Sequence, residues 1–221
     1  TSDASHELRT PLAVIKGTME VLIRKPRNQQ EYEEKIQFCI SEVDRLNHMV
    51  DQLLLLARFE NQKQNVKQET IYLNALILDN LTRFSEKSES KKLKIKTEFT
   101  EDYYLVCDNY LVSIIISNLI SNAIKYSNPN GEIAIELGKT NDEVTFSITD
   151  YGVGIAKNDL DKIFNSFYRS DVSNHPEIKG TGLGLSIVKR LCDLLRIKIS
   201  VESRINEKTK FILQFSSAKL K

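Results

Sequence analysis

Apolar residues recur at helical spacing through the first 60 positions and at strand spacing through much of the rest. Leu8, Leu12, Ile15, Met19 and Leu22 follow one another at steps of four and three, the period of one helix face. After a polar break over 25–30 that contains Pro26, the pattern resumes as Ile36, Cys39, Val43, Leu46, Val50, Leu53 and Ala57, a heptad seam. Pro26 supplies no backbone donor, so the break reads as the turn of a helical hairpin. Two narrow apolar stripes cannot be buried by one hairpin. The economical arrangement is a dimer closing into a four-helix bundle; the alternative is a monomeric hairpin packed on the rest of the chain.

The stretch 61–68 is polar apart from Val66 and has no period, which suits a linker. The hairpin is therefore bounded at 1–62, the linker at 63–68 and a second domain at 69–221. That domain begins with a short strand near Ile71, a helix over 73–88, and strands over 93–99 and 104–107. A helix over 109–126 leads to strands over 133–137 and 144–150, joined through Thr140, Asn141 and Asp142. After an irregular stretch come a helix over 183–195 and strands over 197–202 and 211–215. The expected architecture is an α/β sandwich, one mostly antiparallel sheet with helices on one face.

A length of 221 residues accommodates two such domains. Lysine and arginine number 31 against 30 aspartate and glutamate, a net charge of +1, so no global basic field exists to grip nucleic acid. With 41% hydrophobic and 28% charged residues the chain can bury a core and falls outside the disordered and fibrous classes. Cys39, Cys107 and Cys192 are widely spaced and set among apolar neighbours, so they read as reduced core thiols rather than a disulfide framework or a metal knuckle. The longest apolar run, 53–57, is far short of the ~18 residues that cross a bilayer. The chain starts at Thr1 without Met, which raises the expectation of a piece of a longer protein.

Five of the eight glycines fall between positions 152 and 184. They form Asp150-Tyr151-Gly152-Val153-Gly154-Ile155 and Gly180-Thr181-Gly182-Leu183-Gly184-Leu185. Glycines two apart let backbone amides approach a polyanion, and the second set runs into a helix N-terminus that favours negative charge. A nucleotide phosphate suits such a site; two tight turns needing positive φ would explain either set alone. No Walker loop occurs, and the antiparallel surroundings of Gly180 exclude a dinucleotide-binding βαβ unit. Upstream, Asn118, Asn122 and Lys125 share one helix face. Amide carbonyls there suit a hard Mg²⁺ and an ammonium suits phosphate, unless the face is merely solvated. Asp150 ends a strand at the first glycine turn; its carboxylate can read an exocyclic amine such as adenine N6, or serve only to start the turn. His48 and His175 fall at solvated positions, whereas His6 has company. It lies one place off the Ser5, Leu12, Met19 seam, hence exposed, with Glu7 beside it and Thr10 one turn along. An imidazole can accept a phosphoryl group on one ring nitrogen while a neighbouring carboxylate holds the proton on the other.

Together these segments resemble the cytoplasmic core of sensor histidine kinases. Ser5-His6-Glu7-Leu8-Arg9-Thr10-Pro11-Leu12 is similar to the family's H box, 118–127 to its N box and 150–155 to its G1 box. Phe164-Asn165-Ser166-Phe167-Tyr168-Arg169 is similar to the F box and 180–189 to the G2 box. The resemblance implies a dimerisation and phosphoacceptor hairpin followed by a Bergerat-type (GHKL) ATP-binding fold, shared with gyrase-type ATPases and heat-shock chaperones. It implies His6 as the phosphoacceptor, Glu7 as its base, and Thr10 as the residue that orients water in dephosphorylation. The implied cofactors are ATP and Mg²⁺, the metal on Asn122 with help from Asn118, and the phosphates on Lys125 and Tyr126. Asp150 would read adenine beside Gly152, Gly154 and Ile155, and Tyr168 and Arg169 would serve the nucleotide from the F box, the arginine toward the γ-phosphate. A lid over 170–179 would be gripped by the amides of Gly180, Gly182 and Gly184, with Thr181, Leu183 and Leu185 in the same segment and Thr209 before the last strand.

Three places depart from the family pattern. Asn165-Ser166 stands where charges are usual, Leu194-Leu195-Arg196 in place of a Gly-Gly turn, and Asn206-Glu207-Lys208 in place of Gly-x-Gly before Thr209. The implied partners are the receiver domain of a response regulator, docking near His6, and a second copy of the chain as a homodimer. The implied location is the cytoplasmic side of a membrane-anchored parent, the membrane being reached only through a missing N-terminal region. Two rival readings make different predictions. An ATP-binding scaffold that never phosphorylates itself yields no phosphohistidine, and a nucleotide-gated ATPase clamp turns ATP over regardless of His6.

Overall fold

The computed structural model describes residues 2–61, 66–140, 143–170 and 180–216. They belong to two compact units, Thr1–Asn61 and Gln62–Lys221. Part of the expected linker (62–65), the turn at 141–142 and most of the expected lid with His175 (171–179) lie outside the described residues.

In the first unit α1 (Ser2–Ile23) and α2 (Gln29–Asn61) pack as a hairpin. Pro11 withholds one backbone donor inside α1, yet the helix runs through it. The Asn28 side-chain oxygen accepts from the Glu31 amide at 2.8 Å and so caps the start of α2. The heptad seam expected along α2 divides between two faces. Cys39 and Met49 are buried, together with Glu42 and Gln52, whereas Ile36, Ile40, Val43, Val50 and Leu54 are exposed. With Asn47 the exposed set makes a second heptad stripe, and Leu12, Met19 and Ile23 of α1 are exposed as well. The two stripes lie side by side on one long helix, so a single 3.5-residue period passes through both.

The second unit is built on a five-stranded sheet. Its strands are β2 (Lys94–Phe99), β4 (Glu132–Thr140), β5 (Glu143–Asp150), β6 (Ile197–Arg204) and β7 (Lys208–Phe215), in the order β2-β4-β5-β7-β6. Only the β2–β4 pair is parallel. One correction concerns β1 (Glu69–Tyr72) and β3 (Tyr104–Cys107), which pair antiparallel in a separate two-stranded sheet rather than joining the first. A second concerns the helix expected over 73–88, which is two, α3 (Leu73–Arg83) and α4 (Ser85–Ser90), broken at Phe84. The apolar period stops there, because Ser-Glu-Lys-Ser-Glu-Ser has no apolar side chain to hold a face against the core.

α5 (Asn109–Tyr126) and α6 (Gly184–Leu195) pack on the sheet and on each other. Alternate sheet residues point under them, with Ile133, Ile135, Leu137, Val144, Phe146, Ile148, Phe211, Leu213 and Phe215 buried. Asp108 caps α5 by accepting from the Leu111 amide at 3.1 Å. At its other end the Lys91 ammonium donates to the carbonyls of Ile124, Lys125 and Ser127 at 3.0, 2.7 and 3.2 Å. Arg196 ends α6 at φ 54° and Asn206 turns β6 into β7 at φ 57°. Both sit in stretches where the family pattern has glycine, and both take the left-handed backbone that glycine favours. All three cysteines are buried, and none is in a disulfide. No helix among the described residues is long and apolar enough to cross a membrane.

Candidate functional site

β5 delivers Asp150 to the rim of the sheet core, and the chain turns at once through Gly152 and Gly154. A Cβ on Gly152 would collide with the Tyr126 carbonyl, and one on Gly154, at φ 67°, with that of Arg204. The nearest demand for glycine is therefore close approach to protein backbone, Gly152 to the end of α5 and Gly154 to the β6–β7 turn. The Val153 amide donates to the Tyr126 carbonyl at 3.3 Å and its carbonyl accepts from the Asn206 amide at 2.9 Å.

Asp150 is only 4% exposed, and its Oδ1 has no hydrogen-bond partner. Burial pushes its carboxyl up to about 7, against the opposing pull of the Gly152 amide. A buried carboxylate oxygen left open at the floor of a cleft calls for a donor from outside the chain. The cleft, about 580 Å³ with its open mouth, is lined by Asn122, Tyr126, Asp150, Gly154, Ile155, Tyr168, Arg169, Leu185 and Thr209 of the residues expected from sequence. Ile163, Ser170 and Phe211 complete the wall. Ser170 opens the expected lid, whereas Ile163 and Phe211 were missed because they carry only the signal of core residues.

Asn118, Lys125, Gly152, Gly180, Thr181, Gly182, Leu183 and Gly184 are not in the cleft wall. Several of them brace it. The Asn118 amide donates to the Ile114 carbonyl at 2.9 Å, which leaves Oδ1 facing Gly184, where a Cβ would come within 2.8 Å. The Lys125 ammonium abuts Gly180 and lies 4.8 Å over the Tyr126 ring. Gly182, at φ 72°, leaves no room for a Cβ, which would stand 2.6 Å from the Phe167 carbonyl carbon. Phe167 itself holds φ 64° and donates its amide to the Gly182 carbonyl at 3.0 Å, clipping the F-box segment to the second glycine loop. Tyr168 and Ser170 both donate to Asp159, at 2.7 and 2.6 Å. Leu183, at the N-cap of α6, supplies no side-chain cap, and a helix N-terminus favours an anion.

These groups fit a nucleoside triphosphate: an acceptor floor, apolar walls, the cations Lys125 and Arg169, and the N-terminus of α6. For Mg²⁺ the fitting donors are the side-chain oxygens of Asn118 and Asn122. Among the described residues no group of three or more His, Cys, Asp or Glu could hold a metal, so phosphate and water oxygens would complete such a shell. On α1, His6 and Thr10 are exposed and Glu7 is half-buried. The Thr10 hydroxyl donates to the His6 carbonyl at 3.2 Å, one turn along the helix.

A mixed five-stranded sheet carrying an acceptor-floored cleft and glycine-clipped loops defines an ATP-binding α/β sandwich. Residues 107–219 match the family described as Histidine kinase-, DNA gyrase B-, and HSP90-like ATPase. Residues 1–62 match the His Kinase A (phospho-acceptor) domain. With both domains in this order, the chain belongs to the sensor histidine kinases of two-component systems. It is 31% identical to the sensor protein IrlS of Burkholderia pseudomallei, over 97% of this chain and 46% of that protein. The chain spans about half the length of the curated relatives it matches. The structure of the Acinetobacter baumannii histidine kinase AdeS aligns at a TM-score of 0.76 and 26% identity, over 96% of this chain and 98% of that one. The same fold is found in histidine kinase ThkA, solved in complex with response regulator protein TrrA, at a TM-score of 0.81 and 24% identity over 97% of this chain and 60% of that one.

Proposed function

We propose that the chain is the core of an ATP:protein-histidine phosphotransferase that phosphorylates His6 and passes the group to an aspartate of a response regulator. The observation that carries this reading is the buried, unpartnered Asp150 oxygen at the floor of the cleft, in a chain whose other unit exposes His6. Asp150 holds the adenine amine, while Tyr126, Lys125, Arg169 and the amides of Gly180, Gly182 and Gly184 meet the phosphates. Mg²⁺ on Asn122 and Asn118 would supply charge neutralisation of the phosphates. A ring nitrogen of His6 attacks the γ-phosphorus; the N–P bond forms, the P–O bond to ADP breaks, and Glu7 takes the ring proton. Positioning and charge offset are most of what such a transfer needs from a protein. The resulting phosphoramidate is energy-rich, so onward transfer to a receiver carboxylate is feasible, and Thr10 orients water for the reverse task.

Residues 1–62 serve as the phosphoacceptor and dimerisation region, 63–68 as the linker and 69–221 as the ATP-binding domain. Because ATP is the donor, the reaction belongs on the cytoplasmic side of any membrane the parent occupies. The test is incubation with γ-labelled ATP and Mg²⁺, comparing the chain with His6→Ala. Acid-labile, base-stable label on the parent and none on the variant is the expected result. Label that survives His6→Ala, or none on the parent, sinks the proposal.

A further inference from the structure

Ser203 on β6 lies outside the cleft wall and belongs to none of the five motifs. Its Oγ nevertheless accepts from the Ile155 amide at 2.8 Å, donates to the Lys208 carbonyl at 2.9 Å and stands 2.9 Å from Thr209 Oγ1. A hydroxyl has one proton and two lone pairs. A carbonyl cannot donate, so the Ser203 proton is held by Lys208. The contact between the two hydroxyls still needs a proton, and only Thr209 has one left to give. With that proton used, Thr209 can only accept from anything inside the cleft. Thr209 is the cross-strand partner of Asp150, is 4% exposed, and lines the cleft beside it. Asp150 Oδ1 is itself an open acceptor.

We infer that Ser203 is a positioning residue for nucleotide choice: by fixing Thr209 as an acceptor, it makes the cleft prefer a purine with an amine at C6 over one with a carbonyl there. This deepens the nucleotide-binding reading and rests on it. A 6-carbonyl sets lone pairs against the oxygens of Thr209 and Asp150 and can answer at most one of them through the hydrogen on N1, whereas an amine with two hydrogens, or a water donating alongside it, satisfies both. Ser203 also anchors Ile155 and hence the cleft wall, but that effect falls on both purines alike.

The experiment measures Kd for ATP and for inosine triphosphate, which differ in the group at C6 and in the hydrogen that the 6-carbonyl purine carries on N1, by calorimetry on the full chain. Wild type should bind ATP at least ~10-fold more tightly. Ser203→Ala frees the Thr209 hydroxyl to donate and should shrink the ATP-to-ITP ratio about fivefold. Ser203→Thr should restore the ratio, and in a Thr209→Val background Ser203→Ala should leave it unchanged. Should Ser203→Ala not fold, Ser203→Cys, a much weaker partner, reads the same ratio. Equal weakening of both nucleotides by Ser203→Ala, or a wild type that does not discriminate, overturns the inference while nucleotide binding stands. A wild type that binds neither nucleotide overturns both.

Discussion

Asp150 has its folded-state value, about 7, above the 3.8 of an exposed aspartate, and burial is the cause. The folded chain thus holds this proton more tightly than the unfolded one. The stability it contributes is fully present below pH ~4 and is lost as pH climbs through 7. On the proposed reading an adenine amine is held more strongly by the ionised form, so ATP affinity should rise from pH 6 to pH 8. Asp150→Asn should flatten both slopes, which thermal melts and calorimetry over that range will check. Gly182 makes a second residue-scale prediction. Gly182→Ala sets a Cβ against the Phe167 backbone at a φ of 72°, so it should weaken ATP binding at least ~10-fold while far-ultraviolet dichroism stays native. Asp150 and the glycines were legible in the sequence because each announces itself within a short motif. Ser203 and Asp159 were not. Ser203 meets Ile155 across 48 positions, and no local period reports such a contact.

Among the elements, the helices and inner strands were legible because their apolar periods are long, as in α5, where eight side chains are buried. The end of α3 was misread because helix propensity continued past the last residue that could pack. Two stripes on α2 merged into one seam because a period measures spacing but not direction. The α6 terminus carries its own expectation. Arg196 sits in a left-handed conformation that costs a non-glycine residue about 1 kcal/mol. Arg196→Gly should therefore stabilise the second unit by about 1 kcal/mol and raise Tm by about 2–4 °C. A fall in Tm would mean that the Arg196 side chain holds contacts worth more than the relief.

The whole molecule was legible as two units in order, because helical and strand periods change over near position 69. The separate β1–β3 sheet was not, since its partners are distant in sequence and nothing local distinguishes them from the main sheet. The exposed stripe of Ile36, Ile40, Val43, Val50 and Leu54 is the basis for expecting a homodimer. Val43→Glu with Val50→Glu should shift sedimentation from dimer to monomer and abolish the concentration dependence of Tm. A wild type that sediments as a monomer at tens of micromolar would refute that assembly.

Self-association of that kind holds two copies of the sheet near one another at an effective concentration on the order of millimolar. Open sheets under such crowding can grow into one another strand by strand. The outer strands here are β2 and β6, and they expose Lys94, Lys96 and Glu98 on one side and Lys198, Glu202 and Arg204 on the other. Charged edges are poor templates for a further strand. The rim of the sheet would thus act as insulation, letting two paired copies remain neighbours without seeding a fibre.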